Sequence, residues 1–502
     1  MSDSAAPPAL ERGLGPLDAT MIVVGSMIGS GIFITSAESA RLVGSPGWLL
    51  VAWALAGVLT LTGALSCAEL AAMMPRAGGQ YVFLREAYGP AVGFLFGWAL
   101  FAVIQTGTIA AVAVAFGRFL GVLVPGISAT TYLVPPVVLG GTGFAISLST
   151  EQLVAVASIA FLTLTNMRGL RLARWIQNTF TLTKTAALAG LIAVGLLLGW
   201  NRGSAAYTAS WWHSAPNGWS AGIAQPGLAV TGALALTLLL GRAMVGPLFA
   251  QSAWNNVTFA GSEIRDAERT LPRSLLAGCG LVVALYLLAN VAYIVTLPLD
   301  GIQHAPENRV AVAAMRAILG SPGAAAIALA IVIATFGCNN GLILAGARVS
   351  YAMAKDGLFF ARAGTTNARH VPAAALAAQG LWAAFLTLPR TVSTDPRTLA
   401  PVYGNVYTQL LEYIVSADLA FYALMVAAVF VLRRRAPAAS RPYRTWGYPV
   451  TPAIYIALAL VLIADLAYLT PATSGMGYAL TLTGVPVYLW WRRRAKAVHA
   501  HD

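Results

Sequence analysis

A chain of 502 residues with 31 basic and 18 acidic side chains carries a formal charge of +13, yet only 10% of its residues are charged and 58% are hydrophobic. Water-soluble domains run at about a quarter charged residues, so this balance excludes an ordinary soluble enzyme, and long uncharged runs exclude disorder. The three cysteines, Cys67, Cys279 and Cys338, fall inside apolar runs, which leaves neither a disulfide framework nor paired zinc spacing.

Residues 1–16 read as a tail without the basic start and small-residue cleavage site of a secretory signal. Apolar runs follow at 17–43, 47–74, 92–124, 150–167, 174–200, 230–262, 272–297, 323–354, 372–391, 405–432, 449–469 and 476–491. About 20 apolar residues cross a bilayer core, so these runs predict twelve transmembrane helices. The chain is read as an all-α membrane protein, with a first five-helix unit at 17–200, an outer loop at 201–229 and a second five-helix unit at 230–432. Two further helices and their connection occupy 433–491, and a basic tail occupies 492–502. Trp211, Trp212 and Trp219 mark the outer loop as an interfacial aromatic segment.

Twelve spans put successive loops on alternate sides. One side then collects 22 basic residues, from Arg12, Arg76 and Arg85 through Arg168, Arg171 and Arg174 to the clusters at 433–444 and 492–496. The other holds eight: Arg41, Arg118, Arg202, Arg242, Arg309, Arg316, Arg390 and Arg397. This asymmetry predicts that both termini are cytoplasmic. The basic surplus therefore describes topology and not nucleic-acid binding.

Span 1 contains Gly29-Ser30-Gly31, and span 6 contains Phe249-Ala250-Gln251-Ser252-Ala253-Trp254-Asn255 after Gly246-Pro247. Such residues weaken a helix where lipid offers the backbone no other partner. Gly25-x-x-x-Gly29 alone would also fit a helix-packing motif. The matching interruption five spans later favours the paired broken helices that mark a transporter's substrate site. An unwound turn offers amides to a carboxylate and carbonyls to an ammonium, and an α-amino acid carries both. A dinucleotide fingerprint fails, because the third glycine position holds Ile34 and no βαβ unit surrounds it.

Lys184 lies about ten residues into span 5, roughly 15 Å from its start and near mid-membrane. A lysine there costs about 2.5–3.5 kcal/mol, so it should face the bundle interior and brace the unwound part of span 1, or hydrogen-bond to helix carbonyls. Glu69 and Asp465 are expected near interfaces, where solvation accounts for them better than proton relay does. Glu412 and Asp418 stand in span 10, whose start is ill defined. Gln105, Asn255 and Asn339 either line a cavity or bond between helices. His213, His304, His370, His499 and His501 fall in loops or the tail without metal spacing. No catalytic set, metal site or cofactor motif emerges, so an enzyme is not expected.

The stretch Val24–Phe33 resembles the first-helix signature of the amino acid–polyamine–organocation superfamily. Residues 68–89, 249–274 and 336–357 are similar to the next blocks of its amino acid transporters, closest to the L-type branch. The resemblance implies two inverted five-helix repeats, with helices 1 and 6 broken, plus two trailing helices. It implies that the amides of Ser30 and Gly31 hold the substrate carboxylate and that the carbonyls of Met27, Phe249 and Ser252 take its ammonium. Phe249 would gate the site, with Ile28, Trp254, Asn255, Gln105 and Cys338 or Asn339 around the side chain. Lys184 matches the fifth-helix lysine found where sodium sits in sodium-coupled relatives, which implies sodium independence. Gln251 and Ala253 depart from the aromatic and glycine usual in relatives. Eukaryotic L-type members join a heavy chain through a cysteine between spans 3 and 4. Loop 125–149 has none, so no disulfide-linked heavy chain is expected.

These features predict a stand-alone exchanger of neutral amino acids in the cell (inner) membrane, working by alternating access. Its partners would be the amino acid and the lipid bilayer. Proton-coupled symport through Lys184 and a nontransporting amino acid sensor are the competing readings. Neutral side chains are favoured because no carboxylate is evident beside the expected pocket.

Overall fold

The computed structural model describes residues 13–499 apart from 77, 141, 169, 214–217, 226, 368–370 and 395–400. Arg12, Arg369, His370, Arg397 and His501 lie outside the described residues. The side chains of Arg171, Arg174, Arg493, Arg494, Lys496 and His499 do so as well.

The first apolar run divides into α1 (Pro16–Met27), α2 (Gly31–Ile34) and α3 (Ser36–Val43). Pro16 opens α1 where its missing N–H is not needed, and the Asp18 carboxylate accepts from the Gly15 amide at 2.9 Å. Next come α4 (Pro46–Met73), α5 (Gln80–Tyr88) and α6 (Pro90–Ala99). One π turn at Leu100–Ile104 joins α6 to α7 (Gln105–Leu123). Strands β1 (Tyr132–Leu139) and β2 (Phe144–Ser149) lead into α8 (Thr150–Met167). Ser149 Oγ accepts from the Gln152 amide at 3.2 Å while Gln152 Oε1 accepts from the Ser149 amide at 2.7 Å, a reciprocal cap. The first half closes with α9 (Leu170–Leu198) and the short α10 (Ala205–Thr208).

The second half begins with α11 (Gly232–Ala243), α12 (Val245–Ala250), α13 (Asn256–Phe259) and α14 (Ala267–Thr296). It continues with α15 (Leu299–Gln303), α16 (Val310–Lys355) and α17 (Ala373–Leu386). Gly320, at φ 68°, breaks α16 two residues before Pro322. Strands β3 (Pro389–Thr394) and β4 (Pro401–Tyr403) precede α18 (Val406–Arg435). The chain then runs through α19 (Val450–Leu469), α20 (Pro471–Leu482) and α21 (Gly484–His499).

Among the described residues, nine helical stretches are long and apolar enough to cross a membrane, which makes this a multi-pass membrane protein. Twelve runs were expected. The ninth run forms only the 14-residue α17, the last divides into α20 and α21, and α8 is polar at both ends. Helices α1 and α4 pack along α14, α7 and α9 along α16, and α18 along α7, α19 and α20. The interior is filled by aromatic groups such as Phe33, Trp53, Phe119 and Tyr293, all fully buried.

An all-helical chain was expected, but the described residues also include strands. Four strands form an antiparallel sheet in the order β1-β2-β3-β4. Tyr132 faces Ser149, Phe144 faces Thr391 and Val392 faces Tyr403, so the segments before α8 and before α18 are sewn together. These strands have three to eight residues, too short to register as spans, and Pro135 and Pro136 fall where the β1–β2 register slips.

Candidate functional site

Two apolar stretches are interrupted, and the interruptions touch. Helix α1 ends at Met27, Ile28 turns extended (φ −73°, ψ 93°), and helix resumes at Gly31. Helix α12 ends at Ala250, Ala253 takes a left-handed φ of 64°, and α13 begins at Asn256. Gly31 is the point of contact: a Cβ there would lie 2.5 Å from Ala250 Cβ and 2.8 Å from its Cα. Gly246 plays the matching part on α12, since a Cβ would meet Thr35 Cβ at 2.4 Å. Only bare backbone allows this approach.

Side chains from other helices hold the crossing. The Tyr286 hydroxyl on α14 reaches both Met27 O at 2.9 Å and Ala250 O at 3.2 Å, tying together the two helix ends. Lys184, fully buried on α9, donates from Nζ to Gly25 O, one turn before the break. Ser30 Oγ and the Tyr407 hydroxyl are 3.0 Å apart, and the Tyr407 ring meets Phe249 edge-on at 6.1 Å. The Arg118 guanidinium lies 5.4 Å from the same ring. Ser252 Oγ donates to Phe249 O at 2.7 Å. Cys338 Sγ stands 3.9 Å from Ser26 O, and its neighbour Asn339 is buried with Oδ1 unpartnered.

Met27, Ile28, Ser30, Gly31, Phe249, Ser252 and Lys184 thus gather on the crossing or directly on its braces. Asn255 and Gln105 are committed to the scaffold. Asn255 Nδ2 donates to Gln80 Oε1 at 2.7 Å while its Oδ1 accepts from the Tyr422 hydroxyl at 3.0 Å. Gln105 Nε2 donates to Leu342 O at 2.7 Å. Sequence reasoning missed the tyrosines. A tyrosine in an apolar run is a signal, because its buried hydroxyl needs a partner, but the run does not name that partner.

A cavity opens beside the interrupted part of span 6, lined by Thr60, Gln251, Ser252, Trp254, Asp418 and Tyr422 among others. The Trp254 and Tyr422 rings stack 5.0 Å apart. Asp418 therefore does lie against expected site residues, which corrects the argument that no carboxylate borders the pocket. A second recess runs along α2 and α3 to Arg242, Tyr407 and Glu412.

The other intramembrane acids also differ from expectation. Glu69 is buried, not solvated: it accepts from Arg433 Nε and Nη2 at 2.9 and 2.7 Å and from the Thr445 amide and hydroxyl, each at 2.7 Å. Glu412 pairs with Arg242 at 3.1 Å and accepts from Thr473 Oγ1 at 2.6 Å. Asp465 is buried as well, and neither of its oxygens has a hydrogen-bond partner.

Interrupted helices braced against each other inside a bundle of bilayer-length helices define a membrane transporter whose chemistry is binding and release. An amino acid permease model matches residues 14–488, and the chain belongs to that family: it is a transporter of amino acids and not an enzyme. It is 28% identical to the serine/threonine exchanger SteT of Bacillus subtilis (strain 168), over 97% of this chain and 98% of that one. It is 30% identical to the human large neutral amino acids transporter small subunit 2, over 97% and 82% of the two chains. To the human Asc-type amino acid transporter 1 it is 28% identical, over 98% and 85%.

Proposed function

We propose that this chain exchanges neutral L-amino acids across the cell membrane, independently of sodium, by alternating access. The observation that carries this reading is the crossing of two interrupted helices, with Lys184 Nζ donating a hydrogen bond to Gly25 O of the first of them. The amides of Ser30 and Gly31 open α2, where the first N–H groups have no helical acceptor, and they would hold the substrate carboxylate. The carbonyls of Met27, Phe249 and Ser252 would take the ammonium. Met27 O accepts one bond from Tyr286, so a second lone pair remains for the ligand. Phe249 O accepts from the Ser252 hydroxyl, which the ligand would displace. Phe249 covers the site, and Ile28, Trp254, Asn339 and Cys338 border the side chain. Lys184 stands in for a coupling cation.

In this reading twelve helices form two inverted five-helix repeats plus a trailing pair, with both termini cytoplasmic. The ion pairs support the alternation. Among the described residues, none of them joins a basic residue assigned to one side to an acid in a loop assigned to the other; Arg348–Glu263 and Arg433–Glu69 are inner pairs, and Arg242–Glu412 and Arg118–Glu151 outer ones. The relatives named as exchanger and as neutral amino acid transporter support the substrate class. Three buried, free cysteines support function without a disulfide-linked heavy chain.

The test is uptake of labelled serine, threonine and leucine by proteoliposomes. Internal neutral amino acid is expected to accelerate uptake, and replacing sodium by choline to leave it unchanged. Lys184→Ala is expected to lower the rate about tenfold or more, as loss of a charge-assisted bond of about 1.5–3 kcal/mol implies. Uptake indifferent to internal substrate would overturn exchange, and wild-type rates in folded Lys184→Ala would overturn the bracing role.

A further inference from the structure

We propose that the cavity beside the interrupted span 6 receives the ω-ammonium of a diamino acid, so that Asp418 extends exchange from neutral to cationic side chains. The inference rests on the amino acid site proposed above and adds a second charge to its substrates. Asp418 sits on α18 with only 8% of its surface exposed, and that surface faces a cavity. Among the described residues no ion pair includes it, and no lysine, arginine or histidine lines the cavity. Tyr422, one turn later, is within hydrogen-bonding reach of Asp418 and also lies 3.0 Å from Asn255 Oδ1, but a neutral hydroxyl does not balance the charge of a buried carboxylate. A carboxylate buried without a cation is costly, so the site calls for one.

Gln251 also borders the cavity, but its Nε2 donates to Trp53 O at 3.3 Å and its Oε1 is buried toward Gly57 of α4, which leaves Asp418 as the acid that faces the open space. A proton on Asp418 would satisfy the carboxylate alone. An ammonium brings three donors, enough for Asp418 and the hydroxyls of Thr60 and Ser252, whose residues also line the cavity. The stacked Trp254 and Tyr422 rings add aromatic surface suited to a cation. Ser252 connects the two regions, because its hydroxyl binds Phe249 O at the helix crossing while the residue lines the cavity. In this proposal an amino acid held at the crossing by its α-groups sends its side chain past Ser252 to Asp418.

The experiment compares labelled ornithine and 2,4-diaminobutyrate with serine in proteoliposomes loaded with serine. Wild type is expected to exchange at least one diamino acid. Asp418→Asn is expected to lower the ratio of diamino acid to serine exchange about tenfold or more, as loss of a site's charged partner does. Asp418→Glu is expected to retain part of the preference. Serine exchange with neither entry nor inhibition by the diamino acids would overturn the proposal. So would an unchanged ratio in Asp418→Asn, including the case in which that variant loses only a pH dependence. If no substrate is exchanged at all, the transport reading fails, and the same comparison is made by binding. Ornithine should then raise the unfolding midpoint of wild type in detergent but not that of Asp418→Asn; equal shifts would overturn the assignment.

Discussion

Ala253 holds a left-handed φ of 64° in the middle of the span 6 interruption, at a position the family resemblance associates with glycine. A side-chain-bearing residue in that region costs about 1–2 kcal/mol. Glycine's larger unfolded-state entropy offsets part of the relief, so Ala253→Gly is expected to stabilise the protein by about 0.5–1 kcal/mol. The unfolding midpoint in detergent reads the effect, and a lowered midpoint would show that this backbone carries no such strain. The alanine thus trades stability for a stiffer turn between two half-helices. Gln251, the other departure from the family pattern, puts an amide in place of the expected aromatic, and its Nε2 donates to Trp53 O at 3.3 Å.

At the level of elements, the crossing of α2 and α12 is set by contact distance. Gly31→Ala would press a methyl group 2.5 Å from Ala250 Cβ and push the half-helices apart. Exchange is expected to fall at least tenfold, with partial recovery in Gly31→Ala/Ala250→Gly, because removing one methyl group leaves Ala250 Cα still 2.8 Å away. Normal exchange in the single variant would mean that the crossing is loose. Both interruptions were legible in the amino-acid sequence, since glycine, serine and proline in an apolar run leave few alternatives to a broken helix. Lys184 was legible for the same kind of reason: a charge at that depth must meet something. Its acceptor, Gly25 O, lies 159 residues away in the chain, and no spacing rule spans that distance. Tyr286 and Tyr407 were invisible as braces for this reason, and Asp418 stayed unplaced because the start of span 10 could not be drawn. The sheet escaped notice because hydropathy detects long apolar runs and its strands are short.

Across the whole molecule, charge is arranged by side and then neutralised by pairing. One knot gathers Arg433, Arg441 and Thr445 from the end of α18 and the connection to α19 onto Glu69 of α4. Arg433 also stacks over Tyr448, its guanidinium 3.8 Å from the ring. Removing one partner of a buried pair leaves the other charge uncompensated, so Glu69→Ala is expected to cost about 3–5 kcal/mol. Folded yield and the unfolding midpoint read this, and a loss below about 1 kcal/mol would show that water replaces the carboxylate without penalty. The trailing helices are therefore attached to the first half of the protein through a named set of bonds.

That knot has a meaning in time as well as in space. Glu69 precedes Arg433 by 364 residues. At about 5–20 residues per second a ribosome needs roughly 20–70 s to cover that stretch. For that interval the newly made second span carries an acid whose guanidinium partners have not been synthesised, and a chain halted before residue 433 keeps it indefinitely. The bond closes only when almost the whole protein exists, so it separates finished molecules from nascent ones.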